Sequence, residues 1–221
     1  MFARDLVSEA ISPLQPTDTG DRVLQRMEVF HVSHLPVVSQ GDFLGMVSDV
    51  DISDRNMVDL PVGEYSFAPF GPFVYEYQHL YEVIEVVSRH HLTAVPVLTE
   101  KHKYLGVITA QQLIQIFGDM TAVKMSGGLI VLELNVNDYS MAQIARIVED
   151  NDAKLLSSFV TSTADSIKME VTLKINQTDL TSIIQSFMRY NYAIKASFQS
   201  NDRHEDILRN NYDQLMMYLN I

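Results

Sequence analysis

Residues 34–38 read HLPVV and residues 94–98 read AVPVL, a shift of 60 positions. Residues 43–48 read FLGMVS and residues 104–109 read YLGVIT, a shift of 61. Upstream, Val23, Leu24 and Met27 align with Val83, Ile84 and Val87. The one extra residue falls between them, SQGD against TEKHK, where a turn absorbs an insertion at small cost. A whole supersecondary unit is therefore present twice.

Each copy reads the same way in physical terms. Between Asp18 and Val32, apolar residues recur at Val23, Leu24, Met27 and Phe30, the spacing of one helix face. Thr19 or Asp18 suits the N-cap. LPVV is short, apolar and β-branched, which predicts a buried strand. Gly41 marks a turn, FLGMVS a second strand paired to the first, and DVDISD a short helix. The second copy predicts a helix from about 78 to 90, strands at 94–98 and 104–108, and a helix from Ala110.

The shared pattern is PVV or PVL, a turn, Gly-x-x-Ser/Thr, and in the first copy x-x-Asp. It resembles the CBS domain, whose tandem pairs form a pseudo-twofold disc, and the resemblance covers about residues 1–123. It implies a first repeat at 1–60 and a linker with second repeat at 61–124. It also implies an adenine nucleotide or S-adenosylmethionine as regulatory ligand, with Asp51 accepting from the ribose hydroxyls and Ser48 facing a phosphate. Met46 would line the base pocket, Ser33 and His34 would approach the phosphate, and Thr93 with Ala94 would border the cleft. The equivalent cleft has Thr109 and Gln112, and a glutamine brings no charge, so it is the weaker site. The bland alternative for Ser48 and Asp51 is a helix cap with a carboxylate in the first turn.

Few cations stand near the motif. His34 is mostly neutral at pH 7, and only Arg55 and Lys124 are candidates to reach the cleft. A monophosphate, an adenosine-like compound or cationic S-adenosylmethionine is favoured over ATP. The linker between the copies holds Pro61, Pro69, Gly71 and Pro72, with aromatics expected to patch the core.

Met125-Ser126-Gly127-Gly128 marks a boundary. Beyond it, strands are expected at 129–136, 154–163, 167–175 and 193–199, with a turn at 164–166. Helices are expected at 140–152, capped by Ser140, and 178–190, capped by Thr178. The order βαββαβ is that of a ferredoxin-like domain over 127–200. After a CBS pair it resembles an ACT domain, and the whole layout resembles the acetoin-utilisation accessory protein family. The loop 137–140 lacks the glycine that would let backbone approach an amino-acid carboxylate, which favours pairing between copies over amino-acid binding. In 201–221, Ile207, Leu208, Tyr212, Leu215, Met216 and Leu219 predict a final amphipathic helix. The expected fold class is α+β throughout.

There are 28 acidic against 16 basic residues, a net charge of -12, and neither half carries a basic patch. Nucleic-acid binding is not expected, and no stretch is long and apolar enough for a membrane span. The absence of cysteine excludes disulfides and thiolate metal sites and fits a cytoplasmic setting. No HExxH, Walker loop or G-x-S-x-G is present, and His90 and His91 point apart on a helix. The chain reads as a regulatory homodimer acting on an unidentified protein, not as an enzyme, with a ligand-free interaction scaffold as the alternative.

Overall fold

The structure is a computed structural model, and it describes residues 1–8, 10–54, 58–64, 71–162 and 167–199. It divides into two compact units, 1–116 and 117–221.

In the first unit the doubled sequence becomes a doubled hairpin. Helix α1 (Gly20–Phe30) leads to strands β1 (His34–Ser39) and β2 (Asp42–Ser48), then to the short helix α2 (Asp49–Asp54). A two-residue connection, Gln40–Gly41, joins β1 to β2. Both residues have positive φ (51° and 84°), the geometry that matches the twist of a tight hairpin. Strand β3 (Val74–Tyr75) precedes α3 (Leu80–Arg89), β4 (Ala94–Leu98) and β5 (Tyr104–Thr109), and α4 (Ala110–Met120) follows. Strands β1 and β4 are apolar on both faces and buried along LPVV and AVPVL, which is why neither alternates. In both hairpins the register slips by one residue, between Val37 and Val38 and between Val97 and Leu98.

The packing has an exchange that the repeat alone does not announce. A 3₁₀ turn, Ala3–Leu6, leads the first copy, yet Ala3 and Leu6 lie in the core around Val83, Val95 and Ile108 of the second. Ser8 N–H donates to the Val107 carbonyl (2.8 Å). The second copy's leading turn, Val62–Glu64, sends Val62 into the core around Val23, Leu35 and Val47 of the first. Thus the first eight residues of the segment 1–60 pack on the other repeat. Gly106 makes room for this, since a Cβ there would come within 2.4 Å of Val7 Cγ1.

The N-terminal caps of α1 and α3 differ from expectation. Thr19 stands at the N-cap of α1 but makes no side-chain cap. Asp18 is turned instead toward the Gln15 N–H (2.8 Å) and toward Arg22 and Arg26. Helix α3 begins at Leu80, later than the expected 78. His79 Nδ1 accepts from Tyr81 N–H (3.3 Å), and Glu82 accepts from the His79 N–H (2.9 Å).

The second unit holds β6 (Gly128–Asn135), α5 (Met141–Glu149), β7 (Leu155–Ser162), β8 (Lys168–Ile175), α6 (Thr181–Arg189) and β9 (Ala193–Phe198). Sheet order is β7-β8-β6-β9 and every pair is antiparallel, the ferredoxin-like topology. Alternate residues Ile130, Leu132 and Leu134 of β6 pack with Ile144, Ile147, Ile183 and Phe187 of the helices. Ser140 caps α5 as expected, accepting from Gln143 N–H (3.4 Å). Thr178 does not cap α6: the helix starts at Thr181, where Asp179 accepts the Thr181 N–H (2.9 Å). Gly127 enters β6 so close to Ile175 that a Cβ would lie 1.9 Å from its carbonyl oxygen. The turn at 164–166, the linker aromatics Tyr65, Phe67 and Phe70, and the helix expected in 201–221 lie outside the described residues. Phe73 and Tyr75 form a ring cluster with Phe43 and His102, with centroids 5.2–6.2 Å apart.

Candidate functional site

The end of β2 and the start of α2 bring Ser48 and Asp51 together. Asp51 Oδ2 accepts from Ser48 N–H (3.0 Å) and from Ser48 Oγ–H (2.6 Å), while Ser48 Oγ accepts from Asp51 N–H (3.1 Å). This is a closed cap, so the structural role weighed for this pair is present. It engages one carboxylate oxygen only. Asp51 Oδ1 has no hydrogen-bond partner among the described residues.

The second copy repeats the device atom for atom with a neutral amide. Gln112 Oε1 accepts from Thr109 N–H (2.9 Å) and Thr109 Oγ1–H (3.1 Å), and Thr109 Oγ1 accepts from Gln112 N–H (3.1 Å). The strands before each cap are tied the same way: Asp49 N–H donates to the Ser33 carbonyl (3.2 Å) and Ala110 N–H to the Thr93 carbonyl (2.9 Å).

Ser33 and Thr93 are equivalent by the 60-residue shift, and the fold brings them face to face. Ser33 N–H donates to Thr93 Oγ1 (2.8 Å), and His34 Nδ1 lies 3.1 Å from the same hydroxyl. Thr93 N–H also points at His34 Nδ1 (3.4 Å). That contact needs an unprotonated Nδ1, which leaves the ring proton on Nε2. Burial pushes the His34 pKa below its ordinary value, and the carboxylates of Asp49 and Asp51 pull it partly back. A neutral imidazole thus sits beside a carboxylate at the junction of the two repeats.

The other expected residues fall less evenly. Met46 packs beside Gly71, whose Cβ position would lie 3.6 Å from Met46 Cγ. Ala94 is fully buried in the core that holds Leu35 and Val47, so only its backbone is left to border a cleft. Lys124 is paired with Asp119 (2.6 Å), and Arg55 lies outside the described residues. Asp49, which no motif singled out, is the stronger of the two charges acting on His34. Its signal was available: it directly follows Ser48 and is held against Ser33.

The second unit has a surface cavity of about 420 Å³ at the ends of β6 and β9, lined by Glu133, Asn135, Asp138, Gln143, Lys168 and Tyr192 among others. Its polar groups are paired with one another: Lys168 with Glu133 (2.6 Å), Asn135 with Asp138 (2.9 Å), and Tyr192 with Gln143 (3.2 Å). Among the described residues no group of three or more His, Asp or Glu side chains is placed to hold a metal ion. No described helix is long and apolar enough to cross a membrane.

Comparison with known proteins gives the following. The family model described as CBS domain matches twice, at residues 3–57 and 69–119. A homoserine O-acetyltransferase of Methanosarcina acetivorans is 27% identical over 88 residues, which is 39% of this chain and 16% of that protein's length. Among solved structures, a CBS domain pair/ACT domain protein from Thermotoga maritima is 19% identical. It matches over 54% of this chain and 98% of its own, with a TM-score of 0.47. The protein CBSX2, in complex with AMP, is 19% identical over 53% of this chain and 96% of its own, with a TM-score of 0.45. A CBS domain pair in complex with 5'-methylthioadenosine and S-adenosylmethionine is 18% identical over 54% of this chain and 97% of its own, with a TM-score of 0.44.

Proposed function

From a chain that carries two CBS domains in tandem, we propose a non-enzymatic regulatory protein that senses an adenosyl ligand through the first repeat. The observation that carries this reading is Asp51, whose Oδ2 holds the cap while Oδ1 has no partner among the described residues. A carboxylate oxygen so placed accepts from a ribose hydroxyl with the strength of a charged acceptor. Ser33, His34, Met46 and Thr93 complete the site, with the backbone of Ala94 at its border. The cleft of Thr109 and Gln112 offers the same geometry without charge and takes ligand more weakly.

The electrostatics narrow the ligand. His34 is held neutral, and the charges acting on it are Asp49 and Asp51. Among the described residues a triphosphate would meet the carboxylates of Asp49 and Asp51 without a cation acting beside them, whereas S-adenosylmethionine, adenosine-like compounds or a monophosphate would not carry that cost. Occupancy acts on a partner protein by favouring one arrangement of the repeats over another, through its unequal affinity for the two. The acting species is a cytoplasmic homodimer, and the ferredoxin-like domain after the pair fits a place beside the acetoin-utilisation accessory proteins.

One observation favours a second reading, an interaction scaffold without ligand. The Ser48–Asp51 cap is matched by Thr109–Gln112, so fold economy alone accounts for it. Thermal shift with AMP, ATP, NAD and S-adenosylmethionine separates the two. Stabilisation by S-adenosylmethionine or AMP, lost in Asp51→Ala, is the expected result. No shift with any of the four leaves the scaffold, and a shift with ATP alone overturns the charge argument.

A further inference from the structure

Helix α1 carries charges that the doubled framework does not call for. Under the 60-residue shift, Arg22 stands where α3 has Glu82, Gln25 where it has Glu85, and Arg26 where it has Val86. The apolar face common to both helices, Val23 and Met27 in one and Val83 and Val87 in the other, packs without them. The segment before α1 fixes one of the two arginines. Arg26 donates to the carbonyls of Ser12 and Pro13, and its side chain is only 22% exposed. Arg22, one turn earlier, is 70% exposed. Both reach the buried Asp18, at 3.4 Å from Arg22 and 3.6 Å from Arg26. Among the described residues no other carboxylate stands within ion-pair distance of either, so one positive charge is left over. Between the segment and the helix lies a surface cavity of about 530 Å³, lined by Ser12, Arg22, Gln25, Arg26, Val29 and Phe30. That is the size of a small-molecule site, and none of its lining residues belongs to the proposed adenosyl site.

We propose that this cavity binds a small organic carboxylate, with its anionic end on the Arg22 and Arg26 guanidiniums and its apolar body along Val29 and Phe30. Planar guanidinium donors match the two oxygens of a carboxylate. Arg26 is already held by two carbonyls, so little freedom is lost when it takes up a further acceptor. Val29 is an apolar side chain left 72% exposed one turn beyond the charges, and an apolar body laid on it is withdrawn from water in the same step. The chain as a whole carries a net charge of -12, so an anion approaches against the general field. A single surplus charge therefore selects a monoanion, and the apolar contact adds the rest of the affinity.

Benzoate is the probe, with benzamide as its neutral counterpart and acetate as the anion without the apolar body. In the isotopically labelled full chain, the side-chain Nε–H resonances of Arg22 and Arg26 are followed by magnetic resonance through each titration. Benzoate is expected to move both signals saturably with a Kd of about 1 mM or below, acetate to bind about tenfold more weakly, and benzamide to leave them in place. Arg22→Glu gives α1 the charge that α3 carries at this position and changes an exposed side chain, so the fold is kept. It is expected to weaken benzoate by about tenfold or more. Val29→Ser, also at an exposed position, is expected to weaken benzoate and leave acetate unchanged. No saturation by about 20 mM benzoate, an equal response to benzamide, or an Arg22→Glu chain that binds benzoate as tightly as the native one overturns the site.

Discussion

The two repeats close their short helices with the same three hydrogen bonds, once around a carboxylate and once around an amide. Ser48 with Asp51 and Thr109 with Gln112 agree in every donor and acceptor. The cap therefore does not need the charge. What the carboxylate adds is chemistry beyond the cap: an anionic oxygen left over on one side of the pseudo-twofold and none on the other. The difference between equal frameworks separates what the fold requires from what a ligand would use.

The sharpest way to break that comparison is to truncate both residues. Asp51→Ala should weaken binding of the adenosyl ligand by about 10- to 100-fold in calorimetry, the worth of a hydrogen bond to a charged group. Gln112→Ala should change the same affinity by less than about threefold, and equal losses would mean that the charge is irrelevant. Removing the hydroxyls tests the sameness instead. Ser48→Ala and Thr109→Ala should each lower stability by about 1 kcal/mol in urea unfolding, the usual cost of a lost cap. A large loss at one and none at the other would end the claim of equivalence.

His34 and Ala94 are the next unequal pair. Because the folded pKa of His34 is lowered, its contribution is fully present above the ordinary value of 6.5 and is lost as pH falls from there toward the folded value. Unfolding midpoints should fall on acidification from pH 7 to 5 more steeply in the native chain than in His34→Ala; identical slopes would show that the ring does not titrate differently on folding. The smallest effect concerns Tyr104, which aligns with Phe43 in the first copy. Its hydroxyl is buried without a partner among the described residues, and burial pushes its pKa up to about 12. Tyr104→Phe should be neutral or stabilising by roughly 1 kcal/mol in thermal unfolding, since it removes an unsatisfied polar group.

Much of the framework was legible because the repeat gave two independent readings of each strand. LPVV and AVPVL announced buried strands, and Gly41 announced the first turn. Starts of helices were less legible where the cap was local competition between neighbours. Asp18 could cap or pair with Arg22 and Arg26, and Asp179 rather than Thr178 reached the α6 backbone. Ser48 and Asp51 were readable from their spacing, but whether one oxygen or two were engaged depends on a rotamer. The contact of Ser33 and His34 with Thr93 joins residues 59 and 60 positions apart. No local pattern contains it, although equivalent residues close to a twofold axis must approach one another.

The crossing of Ala3–Leu6 onto the second repeat sets an order of events during synthesis. Ser8 pairs with Val107, so at ordinary elongation rates this segment is synthesised roughly 5–20 s before its partner strand. The first repeat receives its own borrowed turn, Val62–Glu64, directly after its hairpin. The second must retrieve a segment made well before it, and until Val83, Val95 and Ile108 have been translated, Ala3 and Leu6 wait without the core that will cover them.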